Sequence, residues 1–136
     1  MKRRTFITSA AALIAVPSLS QAAIHYKPGM VKQLLSEGKT VFIDYTTEWC
    51  TTCAAQKRTL AALLGDNAAY GENITFVTID YDIYGRADLA TELKIPRRST
   101  LVALKGDQEL GRIVAGTGRA QIQGLLDAAL EASQQS

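Results

Sequence analysis

Cys50 and Cys53 are the only two cysteines in this chain of 136 residues, and they form a Cys-x-x-Cys motif. Two thiols at this spacing can accept or donate two electrons by breaking or forming one disulfide. A purely structural disulfide is the alternative, but so small a ring would restrain the unfolded chain very little. The spacing therefore predicts a redox-active pair.

The segment around the motif gives the two thiols different roles. Residues 40–46 are β-branched and aromatic and predict a buried strand, whereas residues 54–64 predict a helix that begins at the motif. At a helix N-terminus, unpaired backbone N–H groups and the helix dipole stabilise a thiolate. We therefore expect Cys50 to be the nucleophile and Cys53, one turn into the helix, to be the resolving thiol.

Asp44 interrupts the apolar strand six residues before Cys50. Burial would raise the pKa of this carboxyl, and a group with such a pKa can relay a proton to or from Cys53. The alternative is a carboxyl near a strand end that reaches water. Trp49, next to the nucleophile, is expected to shield the thiolate and to contact partners, or else to be an ordinary core aromatic.

The remaining elements surround this strand and helix. Further strands are predicted at 74–80, 100–105 and 109–115, and further helices at 29–37, 87–94 and 119–130, with 66–73 as a loop. The first strands alternate with helices, which predicts parallel pairing, and the last two strands form a hairpin. The order αβαβαββα therefore predicts an α/β domain with a mixed four-stranded sheet and helices on both faces.

Residues 1–22 have the features of a removable export signal: basic residues 2–4, a small apolar run at 7–16, and small residues at 20–22. The apolar run is shorter than the roughly 20 residues of a membrane span. The Arg3-Arg4 pair also resembles a twin-arginine signal, so the export route stays open. The alternatives to a removable signal are an uncleaved anchor or a disordered amphipathic arm. We expect residues 23–136 to form one soluble periplasmic domain.

Charge argues against a nucleic-acid partner. The chain has 15 basic and 13 acidic residues, and three of the basic residues lie in the predicted signal. Without it the balance is 12 to 13, a net charge of −1. Adjacent basic residues remain only as isolated pairs, such as Arg97-Arg98, which is too little for a nucleic-acid footprint.

Residues 41–53, Val-Phe-Ile-Asp-Tyr-Thr-Thr-Glu-Trp-Cys-Thr-Thr-Cys, resemble the active-site segment of the thioredoxin family. The resemblance extends over nearly all of the chain after residue 22, and it implies a thioredoxin fold and thiol–disulfide oxidoreductase activity. No strand is evident before the first helix. In this the chain is similar to exported thioredoxin-like domains, such as the C-terminal domain of the bacterial membrane disulfide reductase.

The sequence departs from the family pattern beside the cysteines. Thr51-Thr52 replaces the Gly-Pro of cytosolic thioredoxins, and Arg58 replaces the usual kink proline. Phe76 stands where many thioredoxins carry a lysine near the buried acid. The reduction potential of cytosolic thioredoxins therefore cannot be carried over to this chain.

A further departure concerns the cis-proline that the family places opposite the cysteines. Alignment without gaps puts Ser99 at that position, whereas Pro96 lies three residues too early. Pro96 is the alternative, but it would require an insertion in a tight loop. A cis bond before a residue other than proline costs about 2.5–4 kcal/mol, so we expect a trans peptide there. The resemblance then implies that Ser99, Thr100 and Arg98 contact the substrate, with Arg97 on the same rim.

The leading hypothesis is a monomeric periplasmic oxidoreductase that needs no cofactor and reduces disulfide-containing substrate proteins. In an oxidising compartment its thiols must be recharged, for which a membrane-embedded thiol electron donor is the expected partner. Formation of disulfides is the opposite direction, and it would require a strongly acidic Cys50. A redox-inert interaction module is a further possibility, against which the intact cysteines argue.

A copper carrier is the alternative from another functional class, because thiolates are suitable ligands for Cu(I). His25 and Met30 are the only other soft or imidazole ligands expected nearby, and both lie near the start of the domain. Zinc would require four ligands where the motif supplies two. The sequence therefore predicts no resident metal site.

Overall fold

The computed structural model describes residues 23–135, which form one mixed sheet with helices on both faces. The strands are β1 (Ile24–His25), β2 (Thr40–Thr46), β3 (Thr75–Asp80), β4 (Thr100–Lys105) and β5 (Gln108–Val114). The helices are α1 (Met30–Ser36), α2 (Thr51–Asp66), α3 (Ala68–Asn73), α4 (Tyr81–Tyr84), α5 (Asp88–Glu92) and α6 (Arg119–Ser133).

Strand β2 is the centre of the sheet, whose order is β1-β3-β2-β4-β5. It pairs in parallel with β3, where Ile43 is opposite Val77, and antiparallel with β4, where Ile43 is opposite Val102. All seven of its residues are buried, as its apolar and β-branched composition requires. The motif follows the end of this strand and is therefore fixed to the most enclosed part of the fold.

Side chains along β2 alternate between two cores. One core lies under α2, α3 and α6 and includes Phe42, whereas the other lies under α1 and α5 and includes Val41 and Ile43. Because Asp44 is two residues after Phe42, its carboxyl faces the α2 side. A charged group is thereby directed toward the helix that carries Cys53.

The predicted α/β architecture with helices on both faces is confirmed, and the observed sheet has five strands instead of four. The additional strand, β1, pairs in parallel with β3 through only two residues, Ile24 and His25. So short a strand has no periodicity to detect. Its presence also corrects the expectation that no strand precedes the first helix.

The segment predicted as the loop 66–73 is mostly helix α3. The Asn67 side chain accepts a hydrogen bond from the Ala69 N–H at 3.1 Å and caps this helix, while Tyr70 is buried against α6. Tertiary packing therefore stabilises a segment of weak helical propensity. Within residues 23–135, no helix is both long and apolar enough to cross a bilayer. The predicted export signal, residues 1–22, lies outside the described residues.

Candidate active site

The two cysteines lie where β2 meets α2, and they are joined as a disulfide with their Cα atoms 5.2 Å apart. Cys50 is the N-cap of α2, and its Sγ accepts a hydrogen bond from the Cys53 N–H at 3.1 Å. Cys50 is 5% exposed and Cys53 is 1% exposed. Cys50 is thus the slightly more exposed residue of the pair, and its sulfur accepts an N–H of the first helical turn that has no backbone acceptor within the helix.

The Ser99 hydroxyl lies against both sulfurs, with Oγ 3.1 Å from Cys50 Sγ and 3.0 Å from Cys53 Sγ. Disulfide sulfurs carry no hydrogen, so the hydroxyl is the donor and shares its proton between them. In the reduced pair the same hydroxyl is placed to donate to a thiolate. Ser99 is completely buried, whereas Pro96 is exposed.

The backbone of Ser99 is left-handed, with a φ of 63°, and no peptide bond among residues 23–135 is cis. This conformation costs a residue other than glycine about 1–2 kcal/mol. Backbone hydrogen bonds fix it on both sides: the Ser99 N–H donates to Tyr45 O, and the Ala115 N–H donates to Ser99 O, each at 2.8 Å. The hydroxyl is therefore held over the sulfurs by strands on either side of the loop.

Thr100, predicted with Ser99 as a substrate contact, begins β4 and is fully buried. Its hydroxyl donates to Arg97 O at 2.7 Å. Alternation along the strand puts its side chain opposite to that of Leu101, which belongs to the core under α2. The Thr100 side chain therefore shapes the turn before Ser99 and points away from the disulfide.

Asp44 is 7% exposed, and its Oδ1 has no hydrogen-bond partner in the protein. Burial raises the pKa of this carboxyl to about 6, and the positive charge of Lys57 opposes part of the increase. Both residues line a cavity of about 210 Å³ whose walls are otherwise mostly apolar. Asp44 is thus a buried acid, and the alternative of a carboxyl at an open strand end does not apply.

Lys57 is a candidate functional residue that the sequence analysis did not identify. It lies four residues after Cys53, hence on the same side of α2 and one turn further along. Phe76 on β3 lines the same cavity from the position where the family pattern has a lysine. The cation near the buried acid is therefore supplied by α2 and not by β3.

The rim of the site is formed by Trp49, which is 60% exposed and is not a core aromatic. Its Nε1–H donates to Asp82 Oδ2 at 2.8 Å, and the Arg98 guanidinium carbon lies 4.0 Å from the ring centroid. A cation in this position is attracted by the π face of the indole. Two charged side chains thus fix the orientation of Trp49 beside Cys50. Asp82, from α4, was not identified from the sequence.

The buried state of Asp44 predicts how stability depends on pH. Because the pKa of Asp44 is raised to about 6, the folded protein binds more protons than the unfolded one between about pH 4 and 6. The free energy of unfolding should therefore fall as pH rises through this window. Asp44→Asn should remove a penalty on the order of 1–3 kcal/mol at about pH 7.5, and the difference should disappear near pH 4.

Chemical denaturation of the oxidised protein across this pH range measures the effect. Asp107→Asn, in the exposed turn between β4 and β5, is the control because it removes the same charge from the surface. Lys57→Met should move the window to higher pH, because the opposing charge is lost. Equal pH dependence of the wild type and Asp44→Asn would contradict the assignment.

Comparison with known proteins agrees with this geometry. The family model described as Thioredoxin matches residues 23–128. Thioredoxin H5 of Oryza sativa subsp. japonica is 27% identical over 63% of this chain and 59% of its own length. A Thioredoxin H-type of Fagopyrum esculentum is 32% identical over 57% of this chain and 61% of its own length. The chain thus spans about three fifths of the length of these relatives.

A solved structure extends the comparison to the fold. Trxlp from Edwardsiella tarda EIB202 superposes with a TM-score of 0.67 and 23% identity, over 77% of this chain and 98% of that one. At 23% identity, the similarity to this structure shows the fold alone. Since the family match covers most of the described residues and includes both cysteines, this chain belongs to the thioredoxin family.

Proposed function

We propose that this chain is a dithiol–disulfide oxidoreductase that reduces disulfides in substrate proteins. The observation that carries the thiol–disulfide chemistry is the position of Cys50 Sγ at the N-cap of α2, where it accepts the Cys53 N–H and lies 3.1 Å from the Ser99 hydroxyl. The reducing direction rests on Thr51-Thr52, which place no histidine between the cysteines to make Cys50 strongly acidic. Hydrogen-bond donors and the positive end of the helix dipole favour the thiolate over the thiol. Membership of the thioredoxin family supports the same chemistry.

In the proposed reaction the Cys50 thiolate attacks one sulfur of a substrate disulfide. That S–S bond breaks, a mixed disulfide forms, and the leaving substrate sulfur takes a proton. The Cys53 thiolate then attacks Cys50 Sγ, which releases the second substrate sulfur and forms the Cys50–Cys53 disulfide. The substrate gains two electrons and two protons. Asp44, beneath α2, is the proposed acceptor of the proton that Cys53 loses.

The substrate surface that we propose lies around Cys50 and includes the exposed indole of Trp49. Ile83, which follows the Trp49 partner Asp82 on α4, is 69% exposed and is the second apolar side chain that we assign to this surface. Arg98, stacked on the indole, adds positive charge at the edge. The apolar surface favours substrate segments with an apolar residue near the disulfide, and Arg98 favours an acidic residue on its own side of the indole.

The proposal also includes the cellular location of the chain and the source of its electrons. The features of residues 1–22 support export to the periplasm, where the chain would act as a monomer. A reductant there requires a supply of electrons, for which a membrane-embedded thiol donor is chemically suitable.

Export is tested by N-terminal sequencing of the protein recovered from a periplasmic fraction. We expect the chain to begin at Ala23, because the small residues at 20–22 are the predicted cleavage signal. Changing Arg3 and Arg4 to lysine separates the two export routes, because the arginine pair is the feature that the twin-arginine route reads. Recovery of the uncleaved chain from the cytoplasm alone would contradict the proposal.

The copper-carrier alternative has no specific observation in its favour. In the part of the chain that the structure describes, no three His, Cys, Asp or Glu side chains form a group able to hold a metal. His25 lines a separate cavity with Lys57 and Asp80, and Met30 is partly buried against the core under α1. Neither residue is brought to the two sulfurs.

The different roles of the two cysteines give the test of the proposed function. Cys50→Ser should abolish insulin reduction by dithiothreitol-recharged protein, because the attacking thiolate is lost. Cys53→Ser should form a mixed disulfide with the substrate but fail to resolve it, so a covalent adduct should accumulate on non-reducing gels. Full turnover by Cys50→Ser, or adducts formed equally by both variants, would overturn the assignment.

A further inference from the structure

Gln56 is a fully buried polar residue for which neither the motif nor the proposed reaction provides a role. It lies on the buried side of α2, in a stripe whose other members are Cys53, Leu60 and Leu63, and its exposed fraction is 0%. The other positions of this stripe hold side chains that end in sulfur or hydrocarbon. An amide here needs hydrogen-bond partners from other segments, because α2 already uses its own backbone groups.

The Gln56 side chain finds these partners in two separate loops. Its Nε2 donates to Ser99 O and to Gly116 O, each at 3.0 Å. Both amide hydrogens are thereby used, and the two carbonyl acceptors fix which end of the amide is the nitrogen. The side chain therefore links the helix of the cysteines to the loop before β4 and to the loop between β5 and α6.

Neither loop can move freely at the point of contact. Ser99 is left-handed at a φ of 63°, and its carbonyl also accepts the Ala115 N–H. Gly116 is closely packed, because a Cβ there would lie 2.8 Å from Ile113 Cγ2. Gln56 thus adds a side-chain hydrogen bond to a strained residue whose hydroxyl lies 3.0–3.1 Å from the two sulfurs.

We propose that Gln56 is a positioning residue: it holds the Ser99 hydroxyl against the sulfurs of Cys50 and Cys53 and so sets their redox equilibrium. Gln56 acts through Ser99, which donates to the Cys50 thiolate once the disulfide is reduced and keeps its own proton throughout. The inference rests on the proposed function. It concerns the equilibrium of the cysteine pair itself, which is measurable without a substrate protein.

The direction of the effect follows from which state gains the hydrogen bond. A thiolate accepts from a hydroxyl more strongly than a neutral disulfide sulfur does. Loss of the positioned hydroxyl should therefore destabilise the reduced pair relative to the disulfide and make the reduction potential more negative. It should also move the appearance of thiolate ultraviolet absorbance to higher pH.

The test is a double-mutant cycle on the full chain, with the reduction potential measured by equilibration in defined thiol buffers. Gln56→Met keeps the length of the side chain and removes the donor, and Ser99→Ala removes the hydroxyl. We expect each to shift the equilibrium toward the disulfide about tenfold, which corresponds to about 30 mV for this two-electron couple. The double variant should shift no further than Ser99→Ala alone.

Thr59→Val is the matched control, one turn further along α2. The Thr59 hydroxyl reaches Thr117 O at 3.3 Å, in the same loop as Gly116, but does not contact Ser99. Its replacement should leave the potential and the thiolate absorbance unchanged. Gln56→Leu serves as a second variant if Gln56→Met does not fold, and circular dichroism and thermal unfolding establish folding in each case.

A potential unchanged by Gln56→Met, or shifts that add fully in the double variant, would overturn the positioning role. A shift of the potential of equal size in Thr59→Val would also overturn it, because the shift would then come from increased mobility of the loop at 115–118 and not from the contact with Ser99. Failure of the proposed function is seen separately, as absence of insulin reduction by the wild type. The double-mutant cycle still tests the positioning role in that case, because it measures only the reduction potential of the Cys50–Cys53 pair.

Discussion

The site depends on the junction between β2 and α2, where Cys50 serves as the N-cap of a helix. The cap position is normally filled by a side chain whose oxygen accepts an N–H of the first turn. Here a sulfur takes that position and accepts the Cys53 N–H. Because β2 is the fully buried central strand, the junction cannot shift without disturbing both cores. The expected thiolate character of Cys50 follows from this placement.

Around the junction, the protein maintains polar groups where apolar ones would be more stable. Asp44 is buried with one oxygen unpaired, Gln56 is buried with its Oε1 unpaired, and Ser99 is held in a left-handed conformation. Each of these features costs on the order of 1–3 kcal/mol. All three lie on the α2 side of the sheet, where Ser99 contacts both sulfurs and Gln56 is one turn from Cys53. Such a concentration of unfavourable groups is expected where stability is given up for chemistry.

The sequence predicted the parts of the site that are local along the chain. The Cys-x-x-Cys spacing, the strand before it and the break in that strand at Asp44 lie within 14 residues, and the structure brings them together. The position of Ser99 followed from a gap-free alignment of β4. The two-residue strand β1 was missed because pairing with β3, not composition, creates it.

Residues that act across long sequence separations were also missed. Lys57 and Gln56 are adjacent in α2, and in the sequence both are ordinary polar residues of an Ala-rich helix. Gln56 gains its importance from partners in two loops, 43 and 60 residues away, and Lys57 gains its importance from the cavity that it shares with Asp44 on β2. No local pattern reveals either. Asp82 likewise gains its contact with Trp49 only because α4 follows β3 at the same edge of the sheet.

The most direct test of this account is the reduction potential of the Cys50–Cys53 pair in the wild-type chain, determined by equilibration with defined thiol buffers and alkylation of the free thiols. For an electron donor that reduces protein disulfides, the account predicts a potential on the reducing side, closer to about −270 mV than to about −120 mV. A potential near about −120 mV would identify an oxidant and contradict the proposed direction of electron flow.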